Sequence, residues 1–186
     1  MTIEDAFALI HNAPAHSART SNAASNPTQQ PTTWADLGCG SGLFTRALAR
    51  LLKSGSTIYG IDRAPGLQRQ TTPNAVHLLP LTLDFVKEDL PLQNLDGILM
   101  ANALHYVKDK PVLIKSLQDH LQPAAPFLIV EYDTDRPVTT WVPYPLSFLS
   151  LQKLFRTAGY GHIEKIGSRP SLFGRGDIYA AIIHLD

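Results

Sequence analysis

The sequence predicts an α/β fold, a three-layer sandwich with helices on both faces of a mostly parallel sheet. Three observations lead there. Strand-like and helix-like stretches alternate along the chain after residue 33, the order that right-handed crossovers turn into a parallel sheet. The run Leu95–Asn102 is apolar almost throughout after its acid at Asp96, as a strand covered on both faces must be. The first strand-like run, from Trp34, ends in three glycines at alternate positions and passes straight into a helix-like run. Such a turn lets the backbone N–H groups at the start of a helix approach a ligand.

At 186 residues the chain is long enough for one domain with a sizeable core. Sixteen lysines and arginines balance sixteen aspartates and glutamates, so no overall field favours nucleic acid or an anionic membrane. The single cysteine, Cys39, excludes an intrachain disulfide and points to a reducing compartment, and no Cys/His spacing suits a metal. The start Met-Thr-Ile-Glu-Asp lacks the basic region of a signal peptide. No apolar run approaches the roughly twenty residues of a spanning helix. A soluble, cytoplasmic protein is expected.

Residues 1–33 read as a short helix, Ile3–Ile10, with Phe7, Leu9 and Ile10 on or near one face, followed by a flexible polar segment. That segment is either a terminal tail or a flap over a ligand. Residues 34–186 read as a single domain. Its first strand runs from Trp34 into the glycines, and the helix after them places Leu43, Phe44, Ala47, Leu48, Leu51 and Leu52 at helical spacing as far as Lys53. Ser54-Gly55 stops it, and Ser56–Asp62 alternates as a second strand ending on an acid. Ala64–Gln70 has room for a short helix. Val76–Phe85 is the third strand, and its Pro80 suits an edge or a bent start. Leu95–Asn102 is the fourth. Asp109-Lys110-Pro111 opens a helix with proline in the tolerated first turn, with Val112, Leu113, Leu117 and Leu121 as its buried stripe. Pro126–Tyr132 is the fifth strand, and a loop with three prolines follows to Pro145. A last helix spans about Leu146–Ala158 and is stopped by Gly159. His162–Ile166 and Ile178–Leu185 form a closing antiparallel pair.

The glycine turn reads Asp36-Leu37-Gly38-Cys39-Gly40-Ser41-Gly42. Its spacing is G-x-G-x-G, not the G-x-G-x-x-G of dinucleotide folds. Together with the order of elements downstream, it resembles class I S-adenosylmethionine-dependent methyltransferases over nearly everything after residue 33. The resemblance implies a Rossmann-like, seven-stranded sheet with an antiparallel C-terminal hairpin. It also implies S-adenosylmethionine as cofactor and S-adenosylhomocysteine as product. Asp36, Gly38, Cys39, Gly40 and Gly42 then belong to the cofactor turn. Asp62, roughly twenty residues past the glycines, lies where a carboxylate accepts both hydroxyls of a ribose, with Arg63 beside it. Asp84 and Phe85 match the positions that hold adenine, Ala101 and Asn102 count among the cofactor-binding residues, and Ala103–Val107 resembles the segment beside the methionine portion and the methyl acceptor. Asp62 is otherwise a solvated acid at a strand end, and Asp84 an ordinary turn or cap residue.

Methyl transfer is an in-line displacement that asks the protein mainly to align an acceptor and, for some acceptors, to remove a proton. His105 is the candidate base, with Tyr106 next to it; the alternative is a residue that only caps or lines the pocket. Tyr106, Trp141 and Tyr144 follow the fourth and fifth strands and are candidates to wall a flat small-molecule acceptor, against ordinary packing as the other reading. Cys39 reads as a small buried residue and not a nucleophile. A hydrolase or NTPase lacks its G-x-S-x-G elbow or P-loop lysine here. An NAD-dependent oxidoreductase is opposed by the glycine spacing, and no Tyr-x-x-x-Lys pair stands where that fold needs one. A non-enzymatic binding protein on the same fold differs from the enzyme only in the acceptor region.

Overall fold

The computed structural model describes residues 1–13, 30–138, 141–171 and 176–185. Strand β1 (Thr33–Leu37) is buried after its first residue and lies at the centre of an eight-stranded sheet. On one side it pairs in parallel with β2 (Thr57–Asp62), which pairs in parallel with β4 (His77–Thr82). On the other it pairs in parallel with β5 (Gly97–Ala101), and β5 with β6 (Phe127–Tyr132). The carboxyl ends of these five strands therefore share one edge. Strand β8 (Asp177–His184) inserts antiparallel between β6 and the outer β7 (His162–Pro170), as the expected hairpin. The eighth strand, β3 (Gln70–Thr71), is a two-residue antiparallel addition to β4.

Alternate side chains of the sheet feed two cores. Leu37, Ile98, Met100, Phe127 and Ile129 face α3 (Lys110–Gln118) and α4 (Phe148–Thr157), where Phe127, Phe155 and Tyr160 pack with ring centroids 5.3 to 5.6 Å apart. Trp34, Ile58, Leu99, Leu128 and Val130 face α1 (Ile3–Ile10) and α2 (Leu43–Ala49). Helix α1 starts in a reciprocal cap between Thr2 and Asp5 and buries Ala6, Leu9 and Ile10. It is latched to β7 by Asp5 and Arg169 at 2.7 Å, and by Asn12, which donates to Ile166 O beside the β7 bulge at 3.3 Å. The expected flexible segment lies largely outside the described residues, at 14–29. Among the described residues no helix is long and apolar enough to cross a membrane.

Several boundaries differ from expectation, each for a local reason. No helix forms over residues 64–70: Pro65-Gly66 interrupts it, and the Gly66 N–H is spent on Gly40 O at 2.8 Å. Helix α2 ends at Ala49, four residues early, because Arg50 and Leu51 close a tighter turn on Ala47 O and Leu48 O. The third strand stops at Thr82, after which Asp84 O accepts from the N–H groups of Lys87 and Glu88 in a turn. Pro80 is tolerated because β3 reaches only His77 and Leu78, so the missing N–H lies beyond that pairing. The final helix starts at Phe148 with Ser147 as its cap, the Ser150 N–H donating to Ser147 Oγ at 3.2 Å. β7 extends past Ile166 to Pro170.

Candidate active site

At the shared carboxyl edge opens a cleft of about 420 Å³. Its lining brings together Gly38, Asp62, Arg63, Asp84, Phe85, Asn102 and Tyr106, all named from the sequence, with Val86, Lys87, Ala103 and Val107. Asp36, Cys39, Gly40, Gly42, Ala101, His105, Trp141 and Tyr144 lie outside that lining.

The floor is built by the glycine turn. The N–H groups of Gly38 and Cys39 both donate to Ile61 O, at 2.7 and 3.0 Å, which ties the end of β1 to β2. Gly38 adopts φ +78°, and a Cβ there would stand 2.6 Å from the Ala103 Cβ, so glycine is required both for conformation and for space. Gly40 N–H donates to Asp62 Oδ2 at 3.0 Å and Ala64 N–H to Asp62 Oδ1 at 3.1 Å. The carboxylate is thus held in place with lone pairs to spare for a ligand. Asp84 accepts from Val86 N–H at 3.2 Å and lies 3.4 Å from Lys87 Nζ, so it is a turn residue that also faces the cleft.

Behind the turn, Asp36 is buried and accepts from Thr45 Oγ1 at 2.5 Å, while its Oδ1 has no partner among the described residues. Burial raises its pKa to about 7, against the Thr45 bond and with help from the charge of Asp62. Because the folded pKa lies above the unfolded value, the native state holds this proton longer. Stability therefore falls as pH rises from the unfolded carboxyl range through about 7. Asp36→Asn keeps an acceptor for Thr45 and removes the ionisation. It is expected to stabilise the chain at pH 8, by up to about 4 kcal/mol, and to have little effect near pH 4, measured as melting temperatures of both chains at each pH. Burial, with Asp36 and Asp62 nearby, pushes the Cys39 thiol up to about 12, which suits a packing residue and not a nucleophile.

Asn102, just past β5, takes the left-handed conformation with φ +53° and donates its N–H to Val130 O at 2.8 Å. Its side-chain Oδ1 is buried with no partner among the described residues. An orphaned acceptor on the wall of a cleft is a site for a donor group on a ligand. Acids, a phenylalanine and this amide match the needs of a cationic adenosine derivative.

His105 is 1% exposed, in a 3-10 turn over Leu104–Tyr106, beneath the cleft and not on its wall. The sequence shows nothing of why. Glu131, buried at the end of β6, accepts from the His105 backbone N–H at 3.1 Å and lies 2.6 Å from His105 Nδ1. The candidate base is thus a buried imidazole oriented by Glu131. The Tyr106 ring packs against it at a tilt, ring centroids 4.3 Å apart. Trp141 is 71% exposed and donates its N–H to Val138 O at 2.9 Å, whereas Tyr144 donates its N–H to His105 O at 3.0 Å. Lys110, also unforeseen, donates to Val107 O at 2.9 Å and Tyr144 O at 2.8 Å. It thus staples the loop after β6 to the segment after β5. An acid inside the apolar run Phe127–Tyr132 was the one signal that could have flagged Glu131.

The family model for the methyltransferase domain matches residues 9–178. The chain belongs to this methyltransferase family, and its fold is that of the class I, S-adenosylmethionine-dependent enzymes. Among solved structures it is similar to the plantazolicin methyltransferase BpumL in complex with SAH, at 14% identity and TM-score 0.66, covering 99% of this chain and 85% of that one. It is also similar to the 1,6-didemethyltoxoflavin-N1-methyltransferase of Burkholderia thailandensis, at 18% identity and TM-score 0.64, covering 99% and 78%. A third is the putative methyltransferase of Haloferax volcanii, in complex with the Trm112 methyltransferase activator, at 19% identity and TM-score 0.61, covering 96% and 91%. Comparison with curated protein sequences gave no match.

Proposed function

We propose that this methyltransferase acts on a small, flat acceptor, as a cytoplasmic enzyme without nucleic-acid or membrane partners. The observation that carries the reading is the cleft itself, which gathers Gly38, Asp62, Asp84, Phe85, Asn102 and Tyr106 at the carboxyl edge of the sheet. The cofactor, S-adenosylmethionine, supplies a methyl group on a cationic sulfur. Asp62 accepts from the ribose, with Arg63 at its side, and Asp84 and Phe85 hold the adenine. The turn formed by Gly38, Cys39, Gly40 and Gly42 over the buried Asp36, together with Ala101 and Asn102, holds the methionine portion. Tyr106 forms the near wall of the acceptor site, and Tyr144 and Trp141 extend it along the loop after β6. Residues 34–186 form the methyltransferase domain, against which the N-terminal helix is latched. The structural neighbour named for 1,6-didemethyltoxoflavin, solved with that molecule bound, supports a small-molecule acceptor.

Calorimetric titration of the purified chain with S-adenosylmethionine, S-adenosylhomocysteine and NAD tests this reading. The first two are expected to bind and NAD is not. Binding of NAD alone would overturn the cofactor assignment, and silence from all three would favour a non-enzymatic protein on this fold.

A further inference from the structure

We propose that Tyr106 is a gate, and that His105 and Glu131 beneath it form a pair that takes the acceptor's proton through His105 Nε2. The inference rests on the cleft being a methyl-transfer site. It starts from the unexplained burial of two polar side chains in one place. Glu131 Oε1 accepts from the His105 backbone N–H. Oε2 lies 2.6 Å from Nδ1, and one of the two supplies the hydrogen of that contact. His105 Nε2 is buried and has no partner among the described residues. A bare nitrogen there leaves an unused lone pair, whereas an N–H would be an orphaned buried donor, the rarer and costlier state. The hydrogen therefore sits on Nδ1, donating to Oε2, and Nε2 is left as an acceptor.

The other titratable groups around the pair are Tyr106 from the 3-10 turn, Tyr132 from β6 and Tyr179 from β8. Burial raises the pKa of both Tyr132 and Tyr179, with the charge of Glu131 adding to each, so neither supplies a negative charge near neutrality. Tyr106 is 56% exposed, lines the cleft, and its hydroxyl makes no hydrogen bond among the described residues. The ring is held by its contact with the imidazole and is free to turn aside when an acceptor enters. On transfer the acceptor's lone pair forms the bond to the methyl carbon and the carbon–sulfur bond breaks with its electron pair passing to sulfur. The acceptor's proton passes to Nε2, and the imidazolium is balanced by Glu131. Glu131 is a positioning residue in this scheme, since it acts through the ring.

The test needs no identified acceptor. Diethyl pyrocarbonate acylates an unprotonated imidazole nitrogen, and its rate at His105 can be followed by peptide mass spectrometry in the full-length chain. Wild type is expected to react slowly and Tyr106→Ala faster by an order of magnitude or more. In Tyr106→Ala/Glu131→Gln the amide oxygen serves the backbone N–H and the NH₂ faces Nδ1. The hydrogen should move to Nε2 and the reactivity fall back. Nitrogen-15 spectra of the histidine-labelled chain, assigned with His105→Gln, should show Nδ1–H in wild type and Nε2–H in Glu131→Gln. An unreactive His105 in Tyr106→Ala, a protonated Nε2 in wild type, or a Glu131→Gln chain that keeps the wild-type tautomer would each overturn the proposal. Failure of the wild-type chain to bind S-adenosylhomocysteine would instead overturn the methyl-transfer reading and the proton's role with it, leaving the gate and tautomer to be judged by the reagent and the spectra.

Discussion

Gly38→Ala is expected to abolish binding of S-adenosylhomocysteine, whereas Gly40→Ala, two residues away in the same turn, is expected to retain it with less than about a tenfold loss. Both positions are left-handed, at φ +78° and +51°, and each substitution costs about 1–2 kcal/mol for that conformation. They differ in space. A Cβ at Gly40 meets nothing within 4 Å, whereas at Gly38 it meets the Ala103 Cβ at 2.6 Å with the Ala103 backbone at 3.7 Å behind it. No flexible side-chain end is available to move, so the segment 103–107 that walls the cleft must shift, at an additional cost of about 1–3 kcal/mol. Calorimetry gives the affinities and denaturant unfolding the stabilities. Equal losses of binding in the two variants would remove the packing of Ala103 on Gly38 as the determinant of the site.

Asp62→Ala is expected to weaken cofactor binding by about ten- to a hundredfold, the range of a lost hydrogen bond to a charged group. The substitution also strips the acceptor from the N–H groups of Gly40 and Ala64. Asp62→Asn separates the two effects, because the remaining oxygen can serve one loop N–H but the charge is gone. Intermediate affinity in Asn and full loss in Ala would assign the larger part to the loop. Affinity unchanged in both would remove Asp62 from the cofactor site.

Where one short stretch decides a feature, the sequence read it correctly. The period of two in Ser56–Asp62 and the solid apolar run after Asp96 depend on neighbours in the chain, and both became strands at those places. The glycine turn was legible because its demand is local: the backbone must turn sharply. Boundaries were less legible, since they depend on competition for N–H groups by distant partners. Gly66 bonded to Gly40 O is the clearest case, a pairing that unmade a helix. The aromatic wall was legible only as composition. Tyr106 lines the cleft, but Trp141 and Tyr144 belong to a loop whose path is set by Lys110 and by Asp135, which accepts from Ser147 N–H and Oγ at 3.0 and 2.7 Å.

By itself, then, the sequence determined the class of fold, the glycine turn and the acid at the end of the second strand, because alternation, glycine freedom and strand-end position are properties of a few consecutive residues. Only the tertiary structure decided what those residues meet: that Gly38 is pressed against Ala103, that Asp62 is held by two N–H groups, and that His105 is buried on Glu131, 26 residues further along the chain. The neighbouring strands β5 and β6 are separated in the chain by a whole helix, so the partner of a polar group at a strand end is chosen by sheet order. No spacing within one segment records it.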